Sequence, residues 1–208
     1  MKQSAAAGQF RASGLTRSMS SNQSGFSLVE VLVAIVVLSL GMLGAVGMQT
    51  TAMQSNREAR NQAVATTFAR ELAEKMRGNK SVATQTTAAN NPYLFDTLLT
   101  GSSTVATFSV NCFNAGCLTG TDVAAWDVAD WQGRVQALLP TPRAKVCFDN
   151  APFDSTGKPR WACTGLGDIA VLKISWTRTN TVGTLEFAAS TGVGVPAVVV
   201  PLTAGSTQ

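Results

Sequence analysis

The sequence predicts an α+β protein built on one long N-terminal helix, membrane-embedded in its first half and amphipathic in its second. Three observations carry this. An almost uninterrupted apolar run extends from Phe26 to Met48. An apolar stripe at helical spacing follows it as far as Met76. Beyond Pro140, several short segments alternate apolar and polar residues in the manner of strands.

The apolar run has the length of a membrane-spanning helix, roughly 20 residues at about 1.5 Å each. One carboxylate, Glu30, lies inside it. An acid within such a helix costs up to about 2.5–3.5 kcal/mol, less near the end, so a partner from elsewhere is implied. Helix N-termini also favour anions, which gives Glu30 a purely local explanation. Gly41, Gly44 and Gly47 recur every third residue near the outer end of the run. They suit either close packing of small residues or a segment able to stretch.

From Gln49 to Arg77 there is neither proline nor glycine. Val64, Phe68, Leu72 and Met76 recur every four residues beside Ala65, Ala69 and Ala73, so this face is expected to pack on the protein's own sheet. Glu71–Lys75 and Arg70–Glu74 are spaced for i,i+4 pairs, and Gly78-Asn79 is a plausible stop. Lys80 to Ser103 reads as a long polar connection with a short helical piece. Thr104–Val110 is a strand candidate. Ala124, Val128, Trp131, Val135 and Leu138 mark a second amphipathic helix over Asp122–Leu139, closed by Pro140. Trp126 and Trp131 are expected to pack. Ala144–Asp149, Ile169–Arg178 and Thr184–Ala189 are predicted strands, with Val198–Val200 an edge piece flanked by Pro196 and Pro201.

Charge and composition narrow the function. The chain has 208 residues, with 16 Lys and Arg against 12 Asp and Glu. The stretch before Phe26 holds Lys2, Arg11 and Arg17 and no acid, so the excess of positive charge is largely a leader property. No basic patch with interleaved aromatics exists, which argues against nucleic-acid binding. Histidine is absent, removing the commonest general base and zinc ligand. Asp127 and Asp130 are spaced three apart on the second helix and are expected to be solvated surface acids, not a catalytic pair. Neither an enzyme nor a cofactor is expected.

Cys112, Cys117, Cys147 and Cys163 all follow the apolar run. An even count outside the cytoplasm favours disulfides, in three possible connectivities. Local pairing, Cys112–Cys117 and Cys147–Cys163, is preferred here. A four-thiolate metal site lacks any Cys-x-x-Cys pair. Asp149, Asn150, Asp154 and Ser155 carry oxygens suited to calcium but match no EF-hand spacing, so a polar turn is expected.

The leader is not an ordinary secretory signal: the apolar stretch is too long and no small-residue cleavage site follows it. The plausible cut lies before the run, at Gly25–Phe26. The positive leader stays in the cytoplasm and the rest extends outward. Gly25-Phe26-Ser27-Leu28-Val29-Glu30-Val31-Leu32-Val33-Ala34 resembles the class III signal of type IV pilins and type II secretion pseudopilins. That resemblance implies cleavage after Gly25 by a prepilin peptidase and methylation of the Phe26 amine. It also implies that Glu30 meets the N-terminal amine of a neighbouring subunit during assembly. The implied pilin fold places the helix on a small antiparallel sheet. The chain then divides into a leader (1–25), a membrane or fibre-core half-helix (26–48), an amphipathic half-helix (49–78) and a globular head (79–208).

Ser39-Leu40-Gly41-Met42-Leu43-Gly44, the segment from Ala69 to Asn79, and Asp130-Trp131 followed by Leu138-Leu139-Pro140 are similar to the PilV family of minor pilins. This implies a non-enzymatic subunit of the type IV pilus that helps to start fibre assembly, and so supports twitching motility and attachment. Its partners would be the peptidase, other minor and major pilins, the assembly platform and the inner membrane. The chain would span that membrane once with a periplasmic head, and then enter the extracellular fibre. A secretion pseudopilin and a pilus-borne adhesive module are the alternatives.

Overall fold

The computed structural model describes residues 25–99, 112–179, 185–187 and 194–203. Helix α1 spans Leu28–Gly78. The chain divides into two compact units, residues 1–50 and 51–208.

Within the first unit, the described residues from Leu28 onward are helical and mostly apolar, and every residue from Gly25 to Thr50 is exposed. This helix is long and apolar enough to cross a membrane. Gly41, Gly44 and Gly47 leave its helical path unbroken, and nothing stands within 4 Å of the position a Cβ would take at each.

The second unit holds the rest of α1, then α2 (Lys80–Ala83), β1 (Phe95–Leu98), α3 (Cys112–Ala115), α4 (Gly120–Leu138), β2 (Arg143–Phe148), β3 (Ala170–Ser175), β4 (Thr177–Thr179), β5 (Leu185–Phe187) and β6 (Val198–Leu202). Strands β1, β2, β3 and β6 form an antiparallel sheet in that order, and β4 pairs with β5 as a separate ribbon. The architecture is the expected α+β arrangement of a helix on a small antiparallel sheet.

The stripe on α1 does what its spacing predicts. Phe68, Leu72 and Met76, with Ala65, Ala69 and Ala73, are buried, and Val64 packs at the margin. They join Val128, Trp131 and Val135 of α4 and Ala144, Val146, Leu172 and Ile174 of the sheet in one core. Trp131 is the keystone: its ring stands edge-on to Phe68 at 5.9 Å and tilts against Phe95 at 5.8 Å. Its indole N–H donates to the Phe68 carbonyl at 2.9 Å, satisfying a buried donor. Trp126 is half-buried.

Helix α4 starts at a capping box. Thr119 Oγ1 accepts from the Asp122 N–H at 3.1 Å, and the Asp122 carboxylate accepts from the Thr119 N–H at 3.2 Å. Gly133 does not break the helix. Past Pro140, Thr141 takes a positive φ of 43°, and the chain turns into β2.

Several expectations need correction. The i,i+4 pairs on α1 do not form as read. Glu71 instead binds Arg134 of α4, Lys75 binds Asp127 of α4 at 2.8 Å, and Glu74 binds Arg77. For Glu71 and Lys75, tertiary partners arriving from α4 outcompete the weak helix-surface pair; Glu74 takes a different neighbour on α1 itself. Asp127 and Asp130 are correspondingly not simply solvated: Asp127 also accepts from the Tyr93 hydroxyl at 2.9 Å, and Asp130 pairs with Arg134 at 2.9 Å. The connection after Lys80 contains β1, which four residues signalled too weakly. The strand expected over Ile169–Arg178 is interrupted at Trp176, which is wholly buried. Pro201 lies within β6 rather than flanking it, tolerated because β6 is an edge strand. The strand candidate Thr104–Val110 falls outside the described residues.

On its second face the sheet is polar. Asp96, Lys145 and Lys173 stand directly opposite one another across β1, β2 and β3. The two lysines are juxtaposed like charges, a destabilising arrangement unless countered. Asp96 counters Lys145 at 3.1 Å, and Asp149 counters Lys173 at 2.5 Å. The segment 149–164 covers the Lys173 side of this face, and the Trp161 ring lies under the Arg143 guanidinium at 4.3 Å.

Candidate processing and assembly site

The sequence directs attention to the start of α1, and the geometry there is simple. Ser27 precedes the helix, and its carbonyl accepts from the Glu30 N–H at 2.9 Å and the Val31 N–H at 3.3 Å. Glu30 therefore sits in the first turn, where the helix dipole favours an anion. Gly25 and Phe26 lie just outside the helix in chain without regular secondary structure, and Phe26 is 81% exposed. A peptide bond in exposed, non-helical chain is accessible to a peptidase; one inside a helix is not.

Among the described residues, nothing donates to the Glu30 carboxylate. Around it Leu28, Val29, Leu32, Val33 and Val36 are all exposed. Fully covering one such side chain is worth about 1.5–3 kcal/mol, so an uncovered row of this length demands lipid or other helices. The site thus combines an exposed Gly25–Phe26 bond, an acid without a partner among the described residues, and an apolar helix whose surface is uncovered.

The four cysteines fall elsewhere, in the second unit. Cys112 is bonded to Cys117, with Cα atoms 4.8 Å apart, and Cys147 to Cys163, at 6.4 Å. Cys147, Asp149 and Cys163 converge closely enough to suggest a metal site. Their chemistry argues otherwise, since both sulfurs are consumed in the disulfide and the carboxylate is held by Lys173.

Asp149 does more than the polar turn expected of it. It bonds the Ala151 N–H two residues on, as a turn acid does, but its side chain and that of Lys173 are also both 0% exposed. Asp149 Oδ1 accepts from the Ala151 N–H at 3.0 Å and from Thr164. Lys173 Nζ also donates to the Ala162 carbonyl at 2.6 Å. Burial works to raise the Asp149 carboxyl, but the hydrogen bond from Lys173 and the two backbone N–H groups outweigh it and hold it below its ordinary value. Asp154 does form the expected turn, accepting from the Thr156 and Lys158 N–H groups at 2.8 and 2.9 Å.

An exposed apolar helix with an acid in its first turn, continued into a helix-on-antiparallel-sheet head, defines a pilin-class protein. Residues 20–46 match the prokaryotic N-terminal methylation motif. Residues 47–129 match the family model of the type IV pilin Tt1218, so the two matches run on from one another. The chain belongs to the type IV pilins. No curated protein and no solved structure matches it.

Proposed function

We propose that the chain is a minor pilin of the type IV pilus, of the PilV type, acting in the complex that initiates fibre assembly. The observation that carries this reading is Glu30: an acid with no partner among the described residues, on an exposed apolar helix, four residues beyond Phe26.

The mechanism follows from charge and solvation. The apolar half-helix is stored in the inner membrane, with the leader cytoplasmic and the head periplasmic. A prepilin peptidase cuts the Gly25–Phe26 bond and methylates the Phe26 amine. That amine and Glu30 of an adjoining subunit form an ion pair, which in a low-dielectric bundle offsets the cost of each isolated charge. The helix passes from lipid into the fibre core without exposing its apolar surface to water. The head selects its neighbours, and the subunit does no chemistry of its own. Twitching motility and attachment depend on the fibre so started.

Two measurements test this. Mass spectrometry of the membrane and fibre pools should find an N-methylated Phe26 as the first residue; an intact Met1 in those pools refutes the processing step. Deletion should abolish piliation and twitching together. Intact piliation with attachment alone lost would make the chain an adhesive module instead.

A further inference from the structure

The face of α1 that packs on the core does not end at Val64. Continued toward the N-terminus at the same spacing it reaches Asn61, Arg57 and Gln54, with Arg60 beside them. The core stripe becomes polar and basic there, and two connected clefts replace packed side chains. One, of about 550 Å³, runs between this part of α1, Pro140 and Arg178. The other, of about 390 Å³, lies between Arg57, Arg60 and Val64 on one side and Ala137, Leu138 and Pro140 on the other.

The charges of these clefts are unbalanced. Glu58 is the only acid among their lining residues, and it is already engaged. It binds Arg178 at 2.5 Å, accepts from the Trp176 indole N–H at 3.2 Å and accepts from the Gln62 amide at 3.2 Å. Among the described residues, no carboxylate pairs with Arg57 or Arg60, and both are exposed. One helical turn separates them, so their guanidinium groups present two adjacent forks for bidentate carboxylates. Below them the floor is apolar: Leu138 is 58% exposed, beside Ala137 and Pro140. The amide of Asn61 stands in both clefts, able to bond a peptide backbone.

We infer that this double cleft docks an acidic segment of a neighbouring pilin subunit, two of whose carboxylates bind Arg57 and Arg60 while an apolar side chain between them seats on Leu138 and Pro140. The inference rests on the pilin-subunit reading above. A concave site with an apolar floor suits a protein segment better than a lipid surface, which would meet the two arginines but leave the floor unfilled.

The test uses the full chain in piliated cells that lack the native copy. Photoreactive benzoylphenylalanine replaces Leu138, and adducts are mapped by mass spectrometry. The expected adduct joins position 138 to an Asp- or Glu-containing segment of another pilin. Its yield should fall about tenfold or more in R57E/R60E and by a smaller factor in R57Q/R60Q, because like-charge juxtaposition is costlier than neutralisation. Reversing the two acids of the mapped segment to Arg should restore the R57E/R60E yield. Both arginines are exposed, so folding is checked simply by finding both disulfides intact. A yield indifferent to charge reversal, an adduct only to lipid, or no adduct at all overturns the docking inference. The N-terminus of the same pool is read in parallel. Methylated Phe26 in the fibre with no charge-dependent adduct removes the docking site alone, whereas an uncut Met1 removes the subunit reading beneath it.

Discussion

Lys173 Nζ lies 2.5 Å from Asp149 Oδ2, and neither side chain reaches solvent. The pair joins β3 to the segment that covers the outer face of the sheet, and the Cys147–Cys163 bridge closes the same segment. A charge pair so placed repays its desolvation only because each group has further partners: Ala162 for the lysine, and Ala151 and Thr164 for the acid.

Breaking that pair on one side strands a buried charge. Asp149→Asn should destabilise the second unit by about 3–5 kcal/mol, whereas Asp149→Leu combined with Lys173→Met should recover most of the loss. Denaturant titration of the full chain in detergent measures both. A double variant as unstable as the single one would show that the pair contributes beyond mutual neutralisation. The acid limb has a defined direction. Asp149 titrates below its ordinary value in the folded chain, so its contribution is present above the unfolded value of about 4 and is lost as pH falls through the lower folded one. Wild-type unfolding midpoints should therefore drop below about pH 4, and this component should vanish in the double variant.

Tyr93 is the chain's one tyrosine, so its titration can be followed without interference from another phenol. Its ring is buried, and its hydroxyl donates to Asp127 at 2.9 Å and lies 3.3 Å from the Lys75 carbonyl. Burial first, then the Asp127 charge and hydrogen bond, raise its pKa well above the usual 10. The raised value stabilises the fold fully below about pH 10 and is lost as pH climbs toward the folded pKa. Tyrosinate absorbance should thus appear only with alkaline unfolding. A reversible titration near pH 10 with the fold intact would contradict the burial of this hydroxyl. Tyr93→Phe should cost about 1–3 kcal/mol, because it leaves the part-buried Asp127 carboxylate short of a donor.

The two disulfides should differ in weight. Cys147–Cys163 spans 16 residues and holds the segment over Lys173; Cys112–Cys117 spans 5. In the chain-entropy account the longer loop is worth about 3 kcal/mol and the shorter one less. Paired Cys→Ser variants at each bridge, compared by thermal unfolding, should show the larger loss for Cys147/Cys163. Equal losses would imply that the covering segment is held chiefly by the ion pair.

The helices were legible because their period is local. The stripe from Val64 to Met76 and the run from Ala124 to Leu138 each repeat often enough to specify a buried face. Strand β1 was not, since Phe95-Asp96-Thr97-Leu98 offers a single weak alternation with an acid in it. Its identity comes from pairing with β2, nearly fifty residues on. Distance also hid the partners of the charged residues. Nothing near Asp149 announces Lys173, and nothing near Glu71 announces Arg134; only the packing of α4 on α1 and of the covering segment on the sheet brings them together. The N-terminal methylation motif, by contrast, is contiguous: Gly25 to Glu30 lie together inside the matched residues 20–46, and a pattern carried by chain neighbours needs no tertiary contact to be read.

Glu30→Ala separates the two accounts of that acid. If Glu30 serves only the helix N-terminus, its loss costs about 0.3–1 kcal/mol of local helix stability and changes assembly little. If it pairs with a neighbour's Phe26 amine, its loss leaves a cation in the apolar bundle, and even about 1.4 kcal/mol is a tenfold change in equilibrium. The variant should still insert in the membrane and be cut after Gly25, since the apolar run gains rather than loses hydrophobicity. Its amount in sheared fibres, relative to the membrane pool, should fall about tenfold or more. Glu30→Gln, with the same shape and no charge, should behave as Glu30→Ala does; incorporation at the wild-type level in both would eliminate the intersubunit pair and leave the helix-terminus role alone.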